Sequence, residues 1–213
     1  MDGYSLPKAS RVYQSLMSEI APEDPNAFDA HVFASSLSVA ASEGHDDMPS
    51  IVAGTGLDAQ SLAELLATQF PRSKSRFARS EATSDPAVPP EEACLRDLLS
   101  RNTTDGLQVE HWLAAIVARR AQRPNHLWQD LGLRERSELS RLMSIHFAPL
   151  AECNTRDMKW KKFLYRAICE SEGLSICTAP CCSECSDMTS CFGDEHGSSL
   201  VSVRVEQARS DIR

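Results

Sequence analysis

No stretch of this sequence is both long and apolar enough to cross a bilayer; a spanning helix needs about 20 such residues in a row. The first residues, Met1-Asp2-Gly3-Tyr4, lack the basic segment followed by an apolar one that marks a secretory signal, so the expected compartment is the cytoplasm. Positive charge is scarce as well. With 22 Lys and Arg against 30 Asp and Glu, the formal charge is −8, which argues against nonspecific binding to phosphate backbones. Neither a membrane nor a nucleic acid is therefore expected as a partner. A Gly-rich phosphate loop is missing. His31, His111, His126 and His146 lie in helical or turn contexts without zinc-protease spacing, which predicts structural or surface roles. Nothing points to covalent catalysis, and the chain is expected not to be an enzyme.

Cysteine is nearly absent from the first 152 residues, where only Cys94 occurs. Cys153 and Cys169 then lead into a cluster of five: Cys177, Cys181, Cys182, Cys185 and Cys191. A disulfide scaffold spreads its cysteines through the fold it staples, whereas here most of the chain would go unstapled. A local metal site fits the distribution better. The pattern Cys177-x4-Cys182-x2-Cys185-x5-Cys191 places four thiolates within fifteen consecutive residues. Soft thiolates select zinc or iron–sulfur clusters over hard cations. One compact loop can wrap an iron–sulfur cluster, while tetrahedral zinc more often uses two short-spaced pairs separated by a longer insert. The spacing thus favours iron–sulfur, with zinc second and disulfides third. Cys182 ranks above Cys181 because it completes the Cys-x2-Cys unit, and adjacent cysteines rarely ligate one metal. Cys94 and Cys153 are expected to be structural, as is Cys169 unless it serves as a fifth thiol.

The rest of the chain predicts a mostly α protein: a bundle-like helical core followed by a C-terminal cysteine-rich metallocluster loop. Apolar residues recur at helical spacing over about Lys8–Ala21, Ala27–Ser42, Asp58–Phe70, Glu91–Ser100, Leu107–Gln122 and Glu135–Phe147, with a short turn or helix over Asn125–Leu133. Asp58 is the expected N-cap of its helix, and Pro71 stops it. The stretch from Arg72 to Pro90, rich in Ser, Arg, Ala and Pro, is expected to be a flexible linker. This divides the chain into an N-terminal helical segment (1–71), the linker (72–90), a second helical segment (91–154), a basic helix with the cysteine loop (155–193) and a tail (194–213). The basic helix is expected over Thr155–Glu172, capped by Asn154 or Thr155 and stopped by Gly173. In the tail, Leu200 to Val205 would form a short strand or a frayed end. A faint repeat runs through the two helical segments. His31-Val32-Phe33-Ala34 is echoed by His111-Trp112-Leu113-Ala114, and Gly56-Leu57 with Leu62, Leu65, Leu66 and Phe70 by Gly132-Leu133 with Leu139, Leu142, Met143 and Phe147.

Lys159, Lys162, Arg166 and Cys169 share one stripe of the basic helix, running toward the cysteine loop. Cations there would stabilise an anionic cluster or attract an oxyanion. The plainer alternative is a solvated face with local pairs such as Arg166 to Glu170. Pro180 and Gly193 suit the turns of the loop. A structural zinc module for protein interaction and an iron–sulfur electron carrier both remain compatible with these cysteines.

The segment Met158-Lys159-Trp160-Lys161-Lys162-Phe163-Leu164-Tyr165-Arg166, followed by Cys169-Glu170, Glu172-Gly173, Cys177, Ala179-Pro180, Cys182, Cys185 and Cys191-Phe192-Gly193, resembles the C-terminal signature of the NifQ family. His126 to Leu133, Leu139 to Met143, His31 to Ala34 and the segment from Gly56 to Phe70 resemble it more weakly. Cys181 stands where the family usually has another residue, and the 72–90 stretch is longer and more polar than expected. The resemblance implies an oxygen-sensitive protein of nitrogen fixation. It would hold an iron–sulfur cluster on Cys177, Cys182, Cys185 and Cys191, take up molybdenum as molybdate or a molybdenum–sulfur species, and deliver it for the nitrogenase iron–molybdenum cofactor. Its partners would be the cofactor assembly proteins, scaffold and iron protein. Cys169, Cys181 and His196 are secondary candidates for passing contact with molybdenum.

Overall fold

Small side chains set the centre of the molecule. The helix Ala27–Glu43 (α2) is built largely of Ala and Ser with Val32, Phe33, Leu37 and Val39 between them, and every residue from Ala30 to Ala41 is buried. An all-round buried helix is a core helix, and short side chains let neighbours approach its backbone. The computed structural model describes residues 8–43, 48–77, 87–171, 173, 185 and 188–201. Lys8–Met17 (α1) and Met48–Thr55 (α3) pack along α2. At Gly54 of α3 an added Cβ would stand 2.7 Å from the Ala40 Cβ, so glycine is what allows the two helices to come this close.

Around this centre lie Ala59–Gln69 (α4), Lys74–Phe77 (α5), Pro90–Arg101 (α6), Gln108–Ala121 (α7), Leu127–Asp130 (α8), Arg136–His146 (α9), Ala148–Cys153 (α10), Trp160–Ser171 (α11) and Met188–Cys191 (α12). No strand occurs among the described residues. One continuous apolar core joins side chains from α1 through α11, including Phe33, Leu65, Leu99, Trp112, Leu142 and Leu164. Each such side chain contributes roughly 1.5–3 kcal/mol by leaving water. Phe33 meets Trp112 edge to face at 6.3 Å between ring centroids, which ties α2 to α7.

The expected helices are present, with shifted ends. Asp58 caps α4, its carboxylate accepting from the Ser61 N–H at 2.6 Å, and α4 ends before Pro71. Four further helices, α3, α5, α10 and α12, lie where none was expected. The start of the stretch expected to be linker is helical, and Phe77 is buried in the core; residues 78–86 lie outside the described set. The basic helix begins at Trp160 rather than Thr155. Asn154 closes a turn onto Met158, accepting from its N–H at 2.9 Å and donating to its carbonyl at 3.0 Å, and Asp157 has a φ of 53° that no helix can continue through. Its end is as expected, since Gly173 has a φ of 72°. Leu200 and Val201 form a turn, and 202–205 lie outside the described residues. Residues up to Val201 are docked: Val201 and Ser199 are buried, Ser10 Oγ donates to the Val201 carbonyl at 2.5 Å, and Ser199 Oγ donates to the Gly132 carbonyl at 2.9 Å.

The repeat extends to the backbone. Gly56 and Gly132 have φ of 73° and 75°. The helices that follow end at Phe70 and Phe147, whose φ and ψ are −139° and 62°, and −137° and 47°. Each Phe donates its N–H to the residue four earlier, Leu66 or Met143. The four apolar positions of each copy are buried. His31 and His111 do not correspond in environment. His31 is buried between Tyr13 (Nδ1 to the hydroxyl, 2.8 Å) and Glu138 (Nε2 to Oε2, 3.0 Å), whereas His111 is exposed.

Burial alone would raise the Glu138 carboxyl, but the hydrogen bonds from His31 and the Arg134 N–H, with the charges of both side chains, hold it below the ordinary carboxylate value. A carboxylate depressed in the folded state stabilises it fully above its unfolded value, about 4.3, and loses that contribution as pH falls through the folded value. Glu138→Gln should therefore lower Tm by a constant amount at neutral and mildly acidic pH. The gap to wild type should narrow below about pH 4. Thermal unfolding of both proteins across pH 3–8 checks this; a gap that persists unchanged to pH 3 would refute it.

Candidate metal centre

The segment from Lys159 to Cys191 is an excursion in the sense that its two ends meet; its first half, α11, packs on the core, and residues 172, 174–184, 186 and 187 lie outside the described residues. The Lys159 N–H donates to the Cys191 carbonyl at 2.8 Å, and Lys159 Nζ donates to the Thr189 carbonyl at 3.0 Å. Both ends of the excursion thus meet in space. Next to this junction the Arg156 guanidinium lies over the Phe192 ring, 4.8 Å from its centroid. Gly193 turns the chain after the last cysteine with a φ of 92°, where an added Cβ would meet nothing, so the demand for glycine is conformational.

The outgoing arm is α11. Its apolar face buries Trp160 and Leu164, and Trp160 meets Phe163 edge to face at 5.7 Å. Lys161 reaches back to the core, donating to the buried Asp130 carboxylate at 2.7 Å and to the Arg123 carbonyl. Tyr165 accepts from Gln122 Nε2 at 2.9 Å; burial pushes its phenol above the ordinary value, although that hydrogen bond opposes the shift. Of the expected cationic stripe, Lys159 faces the returning arm, Lys162 is exposed, and Arg166 is engaged with Glu170 at 2.6 Å. Cys169 is half-buried on the last turns of this helix.

On the returning arm, Cys185 and Cys191 are free, half-buried thiols. The Met188 N–H donates to the Cys185 carbonyl at 3.3 Å, opening the single turn α12 that ends at Cys191. Cys177, Cys181 and Cys182 lie outside the described residues. Among the described residues no three His, Cys, Asp or Glu side chains form a group able to hold a metal. His196 is exposed. The donors that are described suit a soft metal: two thiols on one short arm beside a lysine, neither tied up in a disulfide.

Beyond Gly193 the chain is fastened by Glu195. Its Oε1 lies 3.2 Å from His126 Nδ1 and its Oε2 3.5 Å from Arg136 Nε. Arg136 also grips Asp157, with Nη1 to Oδ2 at 2.9 Å and Nη2 to Oδ1 at 2.8 Å. Lys161, Arg136 and Glu195 carried no signal in the sequence, because each partner is twenty or more residues away and no local pattern links them.

The fold and this segment define a class: a helical protein with a thiol-bearing excursion clasped at its base. A family model described as NifQ matches residues 32–193, a span that runs from α2 to the glycine after the last cysteine. A NifQ homolog of Sinorhizobium fredii is 44% identical over 176 residues, covering 83% of this chain and 76% of the relative. NifQ proteins of Rhodobacter capsulatus and Azotobacter vinelandii are 36% and 38% identical, covering 68% and 66% of this chain and 79% and 77% of their own. No solved structure matches. The chain belongs to the NifQ family.

Proposed function

We propose that this protein binds molybdenum and delivers it to the assembly of the nitrogenase iron–molybdenum cofactor, with an iron–sulfur cluster held on Cys177, Cys182, Cys185 and Cys191. Family membership supports a role in molybdenum handling for biosynthesis of that cofactor. The observation that carries the reading is the coincidence of the family match with the excursion, since the matched span closes at Gly193, two residues past the last cysteine.

The donor chemistry fits the cluster. The cysteines supply thiolates, which bind iron and sulfide-rich metal species strongly and hard cations weakly. When bound, an iron–sulfur cluster supplies soft sulfide ligands to a molybdenum atom. Lys159 brings a cation to the returning arm, where it lowers the cost of gathering anionic thiolates and draws an oxyanion such as molybdate. Lys162 adds exposed charge on the same helix, and Arg166 adds charge shared with Glu170. Cys169, Cys181 and His196 are the further groups that would touch molybdenum in passing. The recipients would be the cofactor assembly proteins, scaffold and iron protein.

Protein purified without oxygen from cells grown with and without molybdate tests the cargo. The proposal expects molybdenum to co-elute with the iron-containing protein only when molybdate is supplied. Iron without molybdenum under both conditions would overturn the donor role and leave an electron carrier.

A further inference from the structure

We propose that Arg136 is a positioning residue for Cys191, a single guanidinium that locks together the two arms of the cysteine excursion. The proposal rests on the function proposed above for its consequence, and on geometry for its substance. Arg136 is the first residue of α9 and belongs to the core, not to the excursion. On one side its fork binds the Asp157 carboxylate twice and donates to the Asp157 carbonyl at 2.9 Å and the Met158 carbonyl at 3.2 Å. The next residue, Lys159, holds the Cys191 carbonyl. On the other side Arg136 Nε faces Glu195 Oε2 at 3.5 Å, with the Glu195 side chain only 4% exposed and its other oxygen against His126. Neither Arg136 Nε nor Glu195 Oε2 has a hydrogen-bond partner among the described residues, so charge alone holds that contact.

These ion pairs are poor devices for stability: the Asp157 side chain is 73% exposed, where a pair contributes little, and apolar side chains could replace the more buried pair with Glu195 without loss. What the arginine fork adds is direction: it fixes Asp157–Met158, just before the outgoing arm, and Glu195, just after the returning arm, relative to one rigid helix. Asp157 sits at a φ of 53°, a left-handed conformation that aspartate adopts more readily than most residues and that turns the chain into α11. With Gly193 as the only residue of positive φ between them, Cys191 stands four residues before Glu195, and its position follows from the clasp. Groups that orient metal ligands without touching the metal typically govern affinity by about 10- to 100-fold.

The test compares wild type, Arg136→Gln and the double variant Arg136→Gln/Glu195→Gln. In the double variant no carboxylate is left buried without its partner. After anaerobic reconstitution with iron and sulfide, both variants should bind iron about tenfold more weakly and show an altered thiolate-to-iron absorption band. Their helical circular dichroism should match wild type. In metal-free protein, alkylation of Cys191 followed by mass spectrometry should be several-fold faster in both. A double variant that folds, keeps wild-type iron affinity and spectrum, and alkylates at the wild-type rate would overturn the proposal. Wild type that takes up no iron, with Cys191 alkylation still accelerated by the variants, would uphold the clasp and overturn the cluster instead.

Discussion

Cys182→Ala and Cys185→Ala are each expected to abolish iron retention while leaving the helical circular dichroism unchanged. The loss follows from the ligand count: four thiolates satisfy a thiolate-bound cluster, and three leave one corner open to solvent and oxygen. The survival of the fold follows from the core, which runs through α1 to α11 and contains no cysteine. Cys181→Ala serves as the control, since Cys182 completes the Cys-x2-Cys unit; it should retain iron. Iron per chain, measured on protein prepared without oxygen, decides the matter. Full iron in either the Cys182 or the Cys185 variant would refute the ligand assignment.

Arg120→Met is expected to be the most damaging single substitution in the core. Arg120 is fully buried, and each of its three guanidinium nitrogens donates a hydrogen bond. Nη1 and Nη2 donate to the two Glu43 oxygens at 2.8 and 2.7 Å, Nε donates to the Asp130 carbonyl at 2.6 Å, and Nη1 reaches the Gly54 carbonyl at 3.3 Å. It thereby links α7 to α2, α3 and α8. Methionine replaces only the aliphatic stem; it leaves two carbonyls without donors and Glu43 with Arg123, at 3.1 Å, as its remaining cationic partner. Glu43 itself stays partly in water, so the cost lies in the two buried carbonyls left unpaired, about 1–3 kcal/mol each. For a chain of this size that corresponds to a fall in Tm of roughly 10 °C. Differential scanning calorimetry checks it, and a change under about 2 °C would show that the network contributes little.

Sequence periodicity revealed the helices whose apolar residues face one side. The α4 and α9 copies were legible because Leu62, Leu65, Leu66 and Phe70, and their counterparts from Leu139 to Phe147, keep helical spacing and follow a Gly-Leu pair. Short elements escaped for physical reasons. In α3, Ile51 and Val52 stand beside Ala53 and Gly54 with no polar face to set a period. In α10, one and a half turns are too few to show one. The late start of α11 depends on the Asn154–Met158 turn and on Arg136 gripping Asp157. Neither can be read from residues 154–160 alone.

The same division applies to the site. The thiols and their spacing are read directly from the sequence, where a soft-metal site would be written in a few consecutive residues. The base of the excursion is not, because Arg136, Glu195, His126 and Lys161 act across the fold. His126 and His146 were expected to be structural or surface groups. In the structure His126 lies against Glu195, and His146 is buried with Nε2 2.9 Å from the Asp29 carboxylate. Cys177, Cys181 and Cys182 fall outside the described residues, so their proposed role rests on the sequence.

The central claim is that these cysteines hold an iron–sulfur cluster that receives molybdenum. Elemental and sulfide analysis of protein purified without oxygen, combined with its visible spectrum, tests it most directly. The account predicts brown protein containing iron and acid-labile sulfide, able to gain molybdenum. Colourless protein with one zinc per chain, after expression with ample iron, would contradict it and leave a zinc-stapled interaction module.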